Sequence, residues 1–135
     1  KETIMKHIIK RYTFSLLTIG LLLYLSFFKP PSINSEIDIP HLDKIVHFCM
    51  YFFLSSVIWL DFYRSHREKI SFRKGWVIAC LFPIFFSGSV ELGQEYLTTY
   101  RGGEWLDLLA NSLGAITASA LITFSLKHLT KKKPL

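Results

Sequence analysis

This chain has little cysteine, comparatively little acid and no soluble-type stretch of any length. Each shortage argues against a class of function. Its two cysteines, Cys49 and Cys80, both sit inside apolar runs, so a disulfide framework is not expected. No serine or cysteine stands in an activated nucleophile motif, which leaves covalent catalysis without a candidate. No two histidines have the H-x-x-x-H spacing of a dense metal motif, so neither a metal nor a cofactor is expected. Ten acids face 16 lysines and arginines, a formal net charge of +6. A basic excess can serve nucleic acid, but here the positive residues cluster between apolar runs. That is the pattern of membrane topology, and no nucleic-acid partner is expected. Repeats and low-complexity tracts are missing, and the long apolar runs do not alternate as strands would.

What is there is apolar. Half of the 135 residues are hydrophobic and the mean hydropathy is +0.32, the profile of a small polytopic membrane protein forming one domain over 1–135. Four runs predict membrane helices at about 12–28, 44–63, 75–97 and 105–126. The first follows the basic residues Lys1, Lys6, Lys10 and Arg11. No small-x-small cleavage site succeeds it, so it reads as a retained helix and not a signal peptide. Pro30, Pro31 and Pro40 break the chain before the second span, and Pro83 predicts a kink in the third. Lys and Arg crowd the N-terminus, the 64–74 loop and the tail from Lys127, whereas the 29–42 and 98–104 loops are not rich in them. An all-α bundle of four transmembrane helices with both termini cytoplasmic satisfies the positive-inside rule at every loop. Cys49 and Cys80 then lie roughly 15 Å apart in depth, too far to bridge.

Three of the predicted helices carry a polar stripe. Asp43, His47 and Tyr51 are spaced i, i+4, i+8 on one face of the second, with Lys44 beside them. On the third, Glu91 lies some ~22 Å above Trp76, in the outer third of a bilayer. Gln94 and Glu95 follow it on the same face. On the fourth, Asp107, Asn111 and Gly114 are spaced i, i+4, i+7. All three stripes fall near the outer boundary, and nothing comparable is expected in the inner half. Turned toward each other, they would line a polar pocket open to the extracytoplasmic side, with Arg101 closing it from the turn.

Asp43-Lys44, His47, Tyr51, Glu91 with Gln94, Arg101, Asp107, Asn111 and Gly114 together resemble the signature of VanZ-like membrane proteins. The resemblance covers roughly residues 38–118. Two positions depart from the pattern: Thr98, Thr99 and Tyr100 stand where a proline often precedes the arginine, and Ala118 stands where a second glycine is usual. The resemblance implies a bacterial cytoplasmic (inner) membrane protein tied to the cell envelope. The family's founding member is associated with low-level resistance to the glycopeptide teicoplanin.

Each polar residue also has a plainer reading. Asp43 can cap the second span, and Asp107 can answer the dipole of the fourth. Asn111 can be interhelical glue, and Ala110, Gly114 and Ala118 form a small-residue face for close packing. Gly102-Gly103 reads as a turn, Glu95 as near enough to water to need no partner, and Lys131–Lys133 as attraction to anionic lipid. His47 and Glu91 could be a structural ion pair, but ionisable groups inside a membrane span mark function by default. Three mechanisms stay open. The first is a module that binds an envelope lipid headgroup or a glycopeptide, with Arg101 on its phosphate or carboxylate. The second is an intramembrane enzyme with His47 and Glu91 as base and acid and Asp107 orienting the imidazole, or a metal variant using His47, Glu91, Glu95 and Asp107. The third is a small transporter or flippase. The lipid bilayer is the expected partner in all three, and a homo-oligomer is compatible with each.

Overall fold

A computed structural model describes residues 1–28, 41–99 and 103–131. The 29–40 connection with its three prolines, the 100–102 segment with Arg101, and residues 132–135 lie outside them. Among the described residues there are helices and turns and no strand. Five helices follow in order: α1 (Glu2–Arg11), α2 (Thr13–Phe27), α3 (Leu42–Ser65), α4 (Phe72–Leu97) and α5 (Trp105–Lys131). Of these, α3, α4 and α5 are each long and apolar enough to cross a membrane, with 24, 26 and 27 residues.

The first span differs from its expectation. The basic start is itself helical, and α1 meets α2 at an 80° bend, so the pair counts as a fourth span only if the bend is included. At 1.5 Å per residue, the 15 residues of α2 reach only about 22 Å, short of a ~30 Å hydrocarbon core. Just past the bend, the start of α2 is held by a contact that the sequence hides. The buried Asp61 carboxylate on α3 accepts both the Ser15 backbone N–H (2.9 Å) and the Ser15 hydroxyl (2.8 Å). It therefore caps the start of α2 from another helix, satisfying a donor that the first turn leaves over. Asp61 thus adds a buried carboxylate in the half of the bundle where no polar stripe like the outer three was expected. We expect Asp61→Ala to lower stability by about 1–3 kcal/mol through the two lost charge-assisted bonds. Asp61→Asn, which keeps an acceptor, should fall between. Thermal unfolding in detergent measures both, and equal melting of Asp61→Ala and wild type would refute the cap.

Pro83 also acts differently from a simple kink. It supplies no N–H for the carbonyl one turn earlier. The preceding turn, Val77–Leu81, winds as π-helix, with the Phe82 N–H reaching back to Val77. The Ala79 carbonyl within this turn is taken by the Ser55 hydroxyl of α3 at 2.5 Å. The irregular backbone is thus satisfied from a neighbouring helix, as a membrane interior requires.

Packing fixes the register. His47 pairs with Asn111 and Ser55 with Ser119, each 64 residues on, so α3 and α5 run parallel. Gly114 makes that contact close: a Cβ there would lie 2.3 Å from the Phe48 carbonyl oxygen. Ala115, Ala118 and Ser119 continue the buried small face. Ser87 and Glu91 of α4 meet Asn111 and Glu104 in turn, and Ala79 and Phe86 meet Ser55 and Tyr51, so α4 runs antiparallel to α5 and α3, and Gln94 places it beside α2 through Ser26. The interior is rich in small and polar side chains and the outside in large apolar ones, Phe85 (74% exposed) and Phe124 (72%) among them. This inversion of the soluble pattern suits lipid as solvent. Lys10, Arg11, Arg64 and Arg67 rim one end of the bundle, where Lys127 also stacks on Phe72. The acid-rich end is opposite.

Candidate functional site

The three stripes converge. Lys44, in the first turn of α3, sends its ammonium to Asp43 (2.8 Å), Glu104 (2.5 Å) and Asp107 (2.5 Å). Asp43 and Glu104 are largely hydrated, whereas the Asp107 side chain is 4% exposed. One turn deeper, His47 places Nε2 at 3.5 Å from the second Asp107 oxygen. Its Nδ1 lies 3.2 Å from the Asn111 carbonyl oxygen, and the Asn111 amide donates to Ser87 Oγ at 2.7 Å. Glu91 comes from α4, and one of its oxygens accepts the Glu104 backbone N–H at 3.0 Å. Ligand atoms of His47, Glu91 and Asp107 all lie within 4.8 Å of one another, and all three residues are buried. These three could hold a metal. A second acidic group, Asp43, Glu104 and Asp107, surrounds the Lys44 ammonium, which already supplies its cation.

The remaining sequence-derived residues fall out differently. Tyr51 is buried a turn below His47, its ring 6.4 Å from that of Phe86. Its hydroxyl has Ser87 and Glu91 as polar neighbours. Gln94 turns away from the cluster, donating to the Ser26 carbonyl of α2 at 2.9 Å. Glu95 is exposed, as expected near water, and accepts the Gly103 N–H at 2.8 Å. Gly103 has a definite reason to be glycine, since a Cβ there would lie 2.6 Å from the Glu91 carbonyl oxygen. Asp43 does not cap α3. It sits inside the first turn and pairs with Lys44; the cap position is His41, in the left-handed region at φ 62°. Asp107 does occupy the first turn of its helix, but its charge is answered by Lys44 as well as by the helix dipole. Arg101 lies outside the described residues.

Sequence reasoning missed Glu104 and Ser87. Ser87 had a usable signal, because it stands four residues before Glu91 and extends the same stripe by one turn. Glu104 had none beyond its place just ahead of α5.

Beside the cluster, a groove of about 690 Å³ runs between α4 and α5. Its deeper part is apolar, with Ile84, Phe85, Gly88 and Leu108, and its upper part carries Glu91, Glu95 and Glu104. Tyr96 and Trp105, both highly exposed, flank this end as aromatic residues do at a membrane boundary.

Long apolar helices around a buried ionisable cluster define a polytopic membrane protein with a polar site at one end. The chain belongs to the VanZ/LLP1 family, whose family model matches residues 3–126. No curated protein and no solved structure matches the chain.

Proposed function

We propose that this protein sits in the bacterial cytoplasmic membrane with both termini inside and binds a lipid-linked envelope ligand or a glycopeptide at its outer face, contributing to glycopeptide (teicoplanin) resistance. The orientation follows from charge, since the end rimmed by Lys10, Arg11, Arg64 and Arg67 belongs inside under the positive-inside rule. The acid-rich end then faces out. The observation that carries the reading is the groove between α4 and α5. Its apolar depth suits an acyl or prenyl chain, and its carboxylates suit the hydroxyls and amines of a sugar or peptide head. Arg101 remains the expected grip on a phosphate or carboxylate.

The groove can be filled without disturbing the helices. A Cβ at Gly88 meets nothing within 4 Å, so a larger side chain has room to grow into it. Gly88→Phe should therefore fold as wild type, lose binding of a lipid-linked cell-wall precursor in nanodiscs, and remove any gain in teicoplanin tolerance conferred on a sensitive host. Undiminished binding and tolerance with a filled groove would sink the proposal. A second reading, an intramembrane acid/base or metal-dependent enzyme, is favoured by the His47–Asp107 contact inside an apolar shell. Turnover of the same precursor by wild type but not by His47→Gln would establish it.

A further inference from the structure

We infer that His47, Glu91 and Asp107 form a binding site for a divalent cation of the zinc or manganese class. This rests on the proposed ligand site and deepens it, since the cation would meet the ligand's anionic group. The sequence predicts no metal because no short motif is present. Here one ligand comes from each of three helices, 44 and 16 residues apart in the chain, so no motif could be present.

Three features of the geometry point to a cation. The first is the His47 tautomer. The Asn111 amide nitrogen is committed to Ser87, so the oxygen facing Nδ1 is an acceptor and Nδ1 carries the hydrogen. Nε2 therefore faces the Asp107 carboxylate with its lone pair, the form in which an imidazole ligates a metal.

The second is distance. An imidazolium–carboxylate bond closes to about 2.7–2.9 Å. His47 Nε2 and Asp107 stand at 3.5 Å, long for such a bond. It is, however, the spacing of two ligands on one ion, which sit roughly 3–4 Å apart when each bond is about 2.0–2.2 Å. The third is the surrounding shell. A histidine ligand characteristically donates its other ring N–H to an oriented acceptor, and Asn111, itself held by Ser87, is that acceptor.

Three protein ligands leave at least one position open. Glu91 lines the groove, so the open position lies on that side. This also resolves a conflict of charge. Glu91 and Glu95 would by themselves repel a phosphate or carboxylate, whereas a divalent ion held by His47, Glu91 and Asp107 would bind its oxygen.

The test uses full-length protein in detergent, stripped with EDTA and dialysed against micromolar Zn²⁺ or Mn²⁺, with metal counted by mass spectrometry. About one ion per chain is expected. His47→Gln and Glu91→Gln should each lower affinity at least tenfold, Asn111→Ala by about 10–100-fold. Asn111→Asp, which keeps an acceptor for Nδ1–H, should retain most of it, and Glu68→Gln, at the opposite end, should match wild type. X-ray absorption at the metal edge of the loaded wild type should report a single imidazole among oxygen ligands, which keeps the inference testable should the variants misfold. Substoichiometric metal in wild type, wild-type affinity in His47→Gln, or a spectrum without imidazole would overturn it. Precursor binding measured with and without EDTA separates the two claims. Metal without precursor binding leaves the cation site standing and removes the ligand reading; precursor binding indifferent to EDTA in metal-free protein does the reverse.

Discussion

Replacing Lys44 by methionine should cost this protein about 3–5 kcal/mol, the penalty for stranding a buried charge after its partner is removed. The Lys44 ammonium contacts three carboxylates, but they are not equivalent. Asp43 and Glu104 each keep 59% side-chain exposure and would turn to water, where an ion pair contributes little in any case. Asp107 keeps 4% and cannot. The loss therefore concentrates on one residue, and that makes it reversible by design. In Lys44→Met/Asp107→Asn the orphaned charge is gone, and most of the stability should return. Asp107→Asn alone should be mild, because Lys44 retains Asp43 and Glu104. Thermal unfolding in detergent of the four proteins in this cycle measures the coupling. A double variant no more stable than Lys44→Met would show that Lys44 works through something other than Asp107. Recovery of stability should not bring recovery of ligand or metal binding, since Asp107 is part of both.

The cycle separates two roles that one cluster combines. Lys44 and its acids tie the start of α3 to the start of α5, and His47, Glu91 and Asn111 form the layer beneath them. Asp107 belongs to both layers, one oxygen on Lys44 and the other toward His47. Tethering the buried carboxylate through one oxygen limits its motion and presents the second, which holds the polar site in place.

What the sequence made legible was periodicity. Asp43, His47 and Tyr51, and again Asp107, Asn111 and Gly114, fall on single faces because helical spacing is fixed, so their convergence was a matter of turning three stripes inward. Partners across helices carry no such signal. Gln94 shares a face with Glu91 yet turns to the Ser26 carbonyl of α2, and nothing at position 94 announces which neighbour it will meet. Asp61 reads as one acid in a long apolar run, and its purpose appears only with Ser15, 46 residues earlier. The same holds for Ser55, an ordinary helix serine until Pro83 distorts a backbone beside it. Local chemistry predicted where helices and polar faces lie; the reciprocal satisfaction of buried groups, which fixes register and site, is a property of pairs.

Gly114→Ala and Gly20→Ala make the same chemical change in the same kind of helix and should have opposite effects. At Gly20 a new Cβ meets nothing within 4 Å, so alanine only lessens the freedom of the unfolded chain and should stabilise by roughly 0.5–1 kcal/mol. At Gly114 it would lie 2.3 Å from the Phe48 carbonyl oxygen and 3.0 Å from the Phe52 nitrogen. Both are backbone atoms of α3, with no rotamer to yield, so the helices themselves must part. That places the cost at the upper end of overpacking, about 3 kcal/mol, and a valine there should prevent folding. The functional loss should exceed the loss of stability. His47 and Asn111 touch at 3.2 Å one turn above this contact, and a seam pushed open by even an ångström breaks that bond and misaims the imidazole. Gly114→Ala should thus remain a folded, monodisperse membrane protein while losing metal and precursor binding at least tenfold. Melting curves and binding measured on one preparation test the pair. A Gly114→Ala protein that binds as wild type would mean that the approach of α3 to α5 serves packing alone and leaves the site indifferent to it.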